Sequence, residues 1–476
     1  MKTRLILLAA LLVQPLAAEE ANPFVKNQPK EKPLPATGES FMVVEEQILV
    51  PADLLDGWLE KNPLTDDAAG LRAEVQTWVQ EGAAQLDHTA VSTGTVGRDF
   101  GNQSHREQIY ATDYMPPQPG EWPFPTAFET RNVGFDLKGN ANVESGSVVF
   151  HSKMGFCGML PHRAWSELAE KTRLPDDVFI PLFKHIEIEA TPGNDVSSDP
   201  SADPFAPPPK PSTFIRFKPG VTYLAGRAAN DLPESMVSGL PATNAGSLVK
   251  DPHRMERLFF FRGTVTQATD VDSTKSRGNL HVSAKLIRVN HKTFSDWLRT
   301  SEPTQVPLLA WTAVVGWLKG GEAKTISDLT SPNQSGSANK IENVLEAIYP
   351  TEYEPGKRPS STDGKPSPPE PSQPTAFETR HVGVTLRSEL MPDPNGPLLR
   401  IEFERVVDGG KSVHNRILRE GEWKEDITFP VFVTNRWLSE LRLVRGKWML
   451  LGSGSDIDEK RKLDPAHAVL AFVKVE

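Results

Sequence analysis

At 476 residues the chain is longer than one hydrophobic core usually serves, and its 42 prolines and 34 glycines exceed the usage of helical bundles. That composition favours many short strands and turns. A formal net charge of −10 argues against nucleic acid as a partner, because a phosphate backbone requires a basic face.

Met1 to Ala18 opens with Lys2 and Arg4, runs through apolar Leu5 to Val13 and closes on Leu16-Ala17-Ala18, the layout of a secretory signal peptide. Its removal takes the net charge from −10 to −12, since it carries those two cations and no acid. Residues 19–37 read as a flexible Pro-rich segment. Cys157 is the only cysteine, so no intrachain disulfide forms, and export without disulfides fits the periplasm or outer membrane of a Gram-negative-type bacterium. Beyond the leader no run reaches the roughly 18 apolar residues of a spanning helix, whereas membrane strands would leave a weaker mark.

The remaining elements come in the same order twice. A strand over Phe41 to Val50, or Leu280 to Val289, precedes a short helix over Ala52 to Leu59, or Lys292 to Leu298. A second helix, Ala69 to Gln80 or Val306 to Lys319, stops at Gly82 or Gly321, where glycine ends helices readily. A polar low-complexity stretch follows, then strands at Ile109 to Tyr114 or Ala347 to Tyr353, and at Phe128 to Leu137 or Phe377 to Leu386. In the second half the pattern predicts a hairpin of Leu399 to Val407 with Ser412 to Leu418 about the turn Asp408-Gly409-Gly410. Strands near Pro430 to Val433, Leu441 to Leu451 and Ala468 to Val475 close the chain.

This double order is written in the residues themselves. Pro125 to Gly134 and Pro374 to Gly383 differ only at Asn132 against His381. Trp58 falls on Trp297, Trp78 on Trp317, Tyr110 on Tyr349 and Tyr114 on Tyr353, each 239 positions further on, in a chain with ten tryptophans. From Pro125 onward the separation is 249, because the Pro-rich loop 354–373 is longer in the second copy. By Gly220 against Gly446 it is 226, because the first copy carries an insertion at 191–212. Residues 38–268 and 279–476 are therefore expected to be two copies of one module, joined by a linker at 269–278.

The run VLEAIYPTEYEP, then PTAFETRHVGVTLRSEL, FPVFVTNRWLSELRLVRGKWMLLGSGS and a final AVLAFVKVE resembles the core domain of bacterial secretins, the multimeric outer-membrane channels of type II and type III secretion and type IV pilus systems. Phe377 to Leu386, Phe429 to Arg436, Gly446 and Leu450 to Gly452 carry that resemblance. It implies a strand-rich fold and an envelope setting. The chain departs from the family where paired glycines close the apolar strand: Gly452 is followed by Ser453, and Gly226 by Arg227. The Pro-x-Leu-Gly segment that follows in the family is absent from both copies.

No residue set earns a catalytic role. Cys157 and His162 lack an orienting third group and have no counterpart in the second copy. His185, Glu187 and Glu189 alternate on one strand face as metal ligands could, but Ile186 and Ile188 between them make an ordinary amphipathic strand. Gly409-Gly410-Lys411-Ser412 lacks the first glycine of a phosphate loop, since Arg405 stands there. Asp270, Asp272 and Thr274 form a weak cation pattern in the linker, and Asp456 with Asp458 reads as a solvated turn. The paired aromatics Trp58, Trp78, Tyr110, Tyr114 and Phe128 read as core, and Glu129-Thr130-Arg131 with Glu378-Thr379-Arg380 as ion pairs within the chain or between subunits.

The expectation is thus an α+β, strand-dominated protein of two secretin-core-like modules of antiparallel sheet with a few short helices. Its expected role is non-catalytic: a scaffold or accessory of the cell envelope, without cofactor or metal. Its expected partners are envelope proteins, secretion or pilus components among them, met at sheet edges or hairpins. A ring-forming outer-membrane secretion channel subunit stands as one alternative, and an uncharacterised hydrolase or carbohydrate-binding protein as another. The oligomeric state is left open, and any membrane association runs through no spanning helix.

Overall fold

The computed structural model describes residues 39–115, 124–159, 163–164, 179–180, 183–188, 215–229, 255–266, 280–334, 336–356, 370–391, 398–419, 422–442, 444–457 and 463–476. The leader, the segment after it, the 191–212 insertion and the 269–278 linker lie outside them.

Through the first half run β1 (Ser40–Pro51), α1 (Ala52–Leu59), α2 (Ala69–Gln80), β2 (Gln85–Thr95), β3 (Asp99–Met115), β4 (Phe124–Glu144) and β5 (Ser147–Met159). The short β6 (Arg163–Ala164), β7 (Phe179–Ile180), β8 (Phe183–Ile188) and β9 (Ile215–Phe217) precede β10 (Thr222–Ala229) and β11 (Met255–Thr266). Next come β12 (Leu280–Asn290), α3 (His291–Thr300), a 3-10 turn, α4 (Val306–Gly320), β13 (Ala323–Asn333), β14 (Ala338–Glu354) and β15 (Gln373–Met391). The chain ends with β16 (Leu398–Arg419), β17 (Glu422–Arg442), β18 (Met449–Ile457) and β19 (Leu463–Val475).

The halves do not fold into separate sheets. One eight-stranded antiparallel sheet runs β10-β11-β1-β2-β18-β19-β12-β13, and a second runs β14-β15-β16-β17-β3-β4-β5-β8, with β9 on β5. Each half supplies four consecutive strands to each sheet, in the same order. The two sheets pack face to face. Under the first half lie Phe41, Val43 and Ala90 from one sheet against Phe100, Leu137 and Phe150 from the other. Under the second, Val282, Leu286 and Val473 meet Leu386, Phe403 and Trp437. The helices cover the far face of the first sheet, α1 and α2 through Leu55, Val75 and Trp78, and α3 and α4 through Phe294, Leu298 and Val314. The result is three layers, with the first sheet buried on both faces and the second wet on one. β1 is accordingly buried along almost its whole length.

The retained Val-Gly of the near-identical stretch has a backbone cause. Gly134 and Gly383 both hold positive φ, 141° and 143°. A Cβ would stand 2.3 Å from the Ser104 carbonyl oxygen at the first and 2.2 Å from the Asn343 oxygen at the second, and those two oxygens are themselves 239 positions apart in sequence. Only glycine lets the neighbouring strand approach that closely.

Four expectations are corrected. The polar stretch after the second helix is the strands β2 and β13 with the start of β3 and β14. β2 is almost wholly buried despite Thr89, Ser92, Thr93 and Thr95: Thr89 Oγ1 meets His291 Nε2 and Thr93 Oγ1 donates to the Leu450 carbonyl across the junction of the halves, while Ser92 Oγ accepts from Asn102 on β3. Gly409-Gly410 is not a hairpin turn: β16 continues through it, with Asp408 opposite Phe432 and Lys411 opposite Pro430 on the same strand β17. It is a bulge, closed by the Gly410 amide donating to Asp408 Oδ1 at 2.7 Å. Leu441 to Leu451 is no single strand, since β17 ends at Arg442 and β18 starts at Met449. Asp456 is no solvated turn: it is 3% exposed on β18, held by Arg405 at 2.8 Å and Arg288 at 2.7 Å. Asp458 lies outside the described residues.

Phe150 has no exposed surface, stacks on Phe217 at 5.2 Å and sits over Gly263. Phe150→Ala is expected to cost about 3–5 kcal/mol of unfolding free energy, read by denaturant titration.

Candidate assembly interface

The site with the most specific geometry is the junction between the halves. In the second sheet β17 pairs with β3 in unbroken register, from Phe432 opposite Glu107 to Leu438 opposite Gly101. In the first sheet β2 and β18 meet in the backbone ladder at Gly452 opposite Ser92, and side chains complete the seam. Asn102 Nδ2 donates to the Val91 and Ser453 carbonyls, both at 2.9 Å, and Asn435 Nδ2 donates to Ser104 Oγ and the Ser455 carbonyl, both at 2.9 Å. Ser453 Oγ accepts from the Val91 amide and donates to the Thr89 carbonyl, each at 2.9 Å. Buried donors and acceptors that meet across a junction in this way favour one register over any other.

Arg380, in the second copy of the retained triplet, crosses the junction to Glu107 Oε1 at 2.5 Å and donates to Thr434 Oγ1 at 3.2 Å. Its neighbour Glu378 accepts from Tyr349 Oη at 3.1 Å, as Glu129 does from Tyr110 Oη at 2.9 Å. Ile109, beside the same seam, packs with Ile427 and Phe429 and is 7% exposed.

His88 lies in the seam, Nδ1 2.5 Å from Ser455 Oγ. Burial, with His291 and Arg257 adding to it, pushes His88 down to about 3. Burial likewise lowers His105 on β3 to about 4, against the pull of Asp136. The unfolded chain protonates these rings near pH 6.5 and the folded chain does not, so their contribution is whole above that pH and is lost as pH falls toward 3. Tm is therefore expected to drop between pH 6.5 and 4, and His88→Gln to shrink that drop; an unchanged slope would place the titration elsewhere.

At the two ends of the molecule the same elements stand unpaired in the sheet order: β13 and β14 on one side, β10 and β8 on the other. The sequence separations give each junction residue its counterpart there. Ile109 corresponds to Ile348 on β14, which is 70% exposed, next to Leu345 at 72%. Glu107 corresponds to exposed Glu346 on β14, and Arg380 to exposed Arg131 on β4. Gly452 and Ser92 correspond to Gly226 on β10 and Ser331 on β13. The seam between the halves is thus a head-to-tail contact, and among the described residues no strand pairs with its two counterpart edges at opposite ends.

The other singled-out residues converge on no chemistry. Cys157 on β5 is buried opposite His185, and burial raises its thiol pKa, the wrong direction for a nucleophile. His162, Glu189, Asp270, Asp272 and Thr274 lie outside the described residues. Glu187 is bound by Lys153, which holds its carboxyl below the usual range. A cavity of about 350 Å³ lies over Gly134 and Gly155, bordered by His105, Asp136, Cys157 and His185. Among the described residues no group of three His, Cys, Asp or Glu is placed to hold a metal ion. No described helix is long and apolar enough to cross a membrane, which says nothing of strands. Trp58 and Trp78 pack in the core under α1 and α2, while Trp297 and Trp317 meet edge to face at 5.8 Å under α3 and α4. Sequence reasoning missed Ile348, Glu346 and the seam hydroxyls, although the 239-residue separation already set Glu346 against Glu107.

No protein-family model matches the chain, and no curated protein does. Among solved structures it is similar to the β-barrel secretin domain of InvG from the Salmonella SPI-1 injectisome, at 11% identity over 60% of this chain and 73% of that one, with a TM-score of 0.20. The V. cholerae type IV competence pilus secretin PilQ matches at 9% identity over 93% of this chain and 61% of its own, with a TM-score of 0.18. Aeromonas hydrophila ExeD matches at 12% over 59% and 54%, with a TM-score of 0.17.

Proposed function

We propose that this chain is an exported, non-catalytic cell-envelope scaffold made of two copies of one secretin-like module, and that it works by joining head to tail with further copies of itself. The observation that supports this is the seam between the halves, because the strands that form it, β2, β3, β17 and β18, have their counterparts β13, β14, β8 and β10 at the ends of the two sheets, with Ile109, Glu107, Ser92 and Gly452 matched there in kind by Ile348, Glu346, Ser331 and Gly226. Exposed strand edges are liabilities unless something covers them, and an Ile at 70% exposure where its counterpart is at 7% marks a surface built for cover. The order of the sheets also agrees: β13 and β14 lie together at one end, β10 and β8 at the other, so one partner chain engages both sheets at once. Export is supported by the layout of Met1 to Ala18.

A contact between unlike surfaces closes into a ring or continues as a filament, according to the rotation at each step. The channel-subunit reading requires the ring. Fractionation with unboiled gel electrophoresis of the mature protein tests both: multimers are expected. Detergent-resistant ones in an outer-membrane fraction would favour the channel, soluble ones the scaffold. A chain that stays monomeric in every fraction would refute self-assembly.

A further inference from the structure

We propose that a cavity between the halves, on the helix-covered face of the first sheet, is a binding site for a phosphate-type oxyanion that ties the two halves together. The cavity has a volume of about 140 Å³ and is lined from the first half by Glu46, Arg72 and Arg262, with the start of α2 at Ala69, and from the second half by Arg299 on α3.

The charge in it does not close. Arg72, 3% exposed, uses Nε and Nη2 to grip Glu46 at 2.8 and 2.6 Å and sends Nη1 to Gln76 Oε1 at 2.9 Å. That fork is satisfied, and it takes up the Glu46 carboxylate. Arg262 and Arg299 form no ion pair among the described residues; Arg299 only reaches the Arg72 carbonyl at 3.5 Å. Asp296, on the same helix as Arg299, is engaged by Gln76 Nε2 at 2.8 Å. Three guanidiniums line the cavity with one carboxylate, that of Glu46, while Asp296 and Asp67 beside it accept from Gln76 and from the Ala69 and Thr222 amides, so Arg262 and Arg299 are without a carboxylate partner among the described residues. Burial holds both Arg262 and Arg299 below their ordinary pKa, and Arg72 pushes each further down. Guanidiniums meet tetrahedral oxyanions with parallel N–H groups. The first amide of α2 is not available to a ligand, since Ala69 N donates to Asp67 Oδ1 at 3.0 Å. A phosphate oxygen set would cancel the surplus and bridge β11 to α3 across the seam. The chemistry is shared by free phosphate and by the phosphate of a lipid headgroup.

The test uses the full mature chain in chloride buffer of matched ionic strength. Inorganic phosphate is titrated in one arm and vesicles containing phosphatidylglycerol are added in the other, with Arg262→Met and Arg299→Met beside the parent. A ligand that binds only the folded state raises Tm, by about 1–3 °C at ten times Kd for a chain of this size. The expected result is a saturable rise in the parent that both variants lose, while the variants melt no lower than the parent in chloride because one of three mutually repelling cations is gone. A rise with phosphate assigns the free ion, and a rise only with vesicles assigns the headgroup. The proposal is overturned if neither arm protects the parent, or if the variants keep the rise, since that is the generic effect of an excluded salt. It is equally overturned if the variants melt lower in chloride, which would make the arginines structural.

Discussion

Arg131→Glu is expected to disperse the assembled chain into single molecules, and adding Glu346→Arg to it is expected to restore the assembly. Inside the chain Arg380 and Glu107 meet at 2.5 Å across the seam. Their counterparts Arg131 and Glu346 are both exposed, and the proposed head-to-tail contact would bring them opposite each other between molecules. A single surface pair contributes little attraction, about 0–1 kcal/mol, so deleting one charge would barely register. Reversal acts differently: it sets two carboxylates opposite each other at every contact, a juxtaposition that costs several kcal/mol in a docked interface. Native mass measurement of the two single variants and the double variant reads the effect. Restoration in the double variant is what a merely unfolded Arg131→Glu chain could not give.

Gly452→Val is expected to destabilise the fold by about 3 kcal/mol or more, whereas Gly226→Ala is expected to leave its melting nearly unchanged. A Cβ at Gly452 would stand 2.6 Å from Trp437 Cδ1 and 2.7 Å from the Val91 carbonyl oxygen, and neither the buried indole nor the strand backbone has room to move. At Gly226 the nearest atom is Ile188 Cδ1, also at 2.7 Å, the free end of a side chain that can rotate away. The two glycines occupy equivalent places on β18 and β10, so the contrast separates the closed seam from the open edge. Similar losses at both would mean that the β10 edge is already as tightly packed as the interior.

Much of the architecture was legible because local pattern and tertiary role agree. Val282, Ala284 and Leu286 alternate as a strand should, and they are buried between the sheets. The helices ending at Gly82 and Gly321 were read from periodicity and terminator, and both glycines hold positive φ. What escaped reading depends on partners far away in the chain. Thr89 and Thr93 look like solvent-facing residues until His291 Nε2 and the Leu450 carbonyl meet their hydroxyls, 202 and 357 residues on. Asp456 looks solvated until Arg288 and Arg405 arrive from β12 and β16. Gly409-Gly410 carries the signature of a turn, and a bulge shares that signature because both need the same backbone freedom. The merging of the halves into two common sheets has no local signal at all, since it is decided by which edges meet.

The central claim, that the open edges meet in the register of the seam, is tested by a cross-link across the expected contact. Val433 lies opposite Arg106 within the chain, which sets Lys184 of one molecule opposite Leu345 of the next. In a Cys157→Ser background, a chain carrying both Lys184→Cys and Leu345→Cys should oxidise to a ladder of covalent multimers, while either single cysteine leaves single chains. A double variant that stays monomeric under oxidation, or a single variant that dimerises through like residues, would contradict the account.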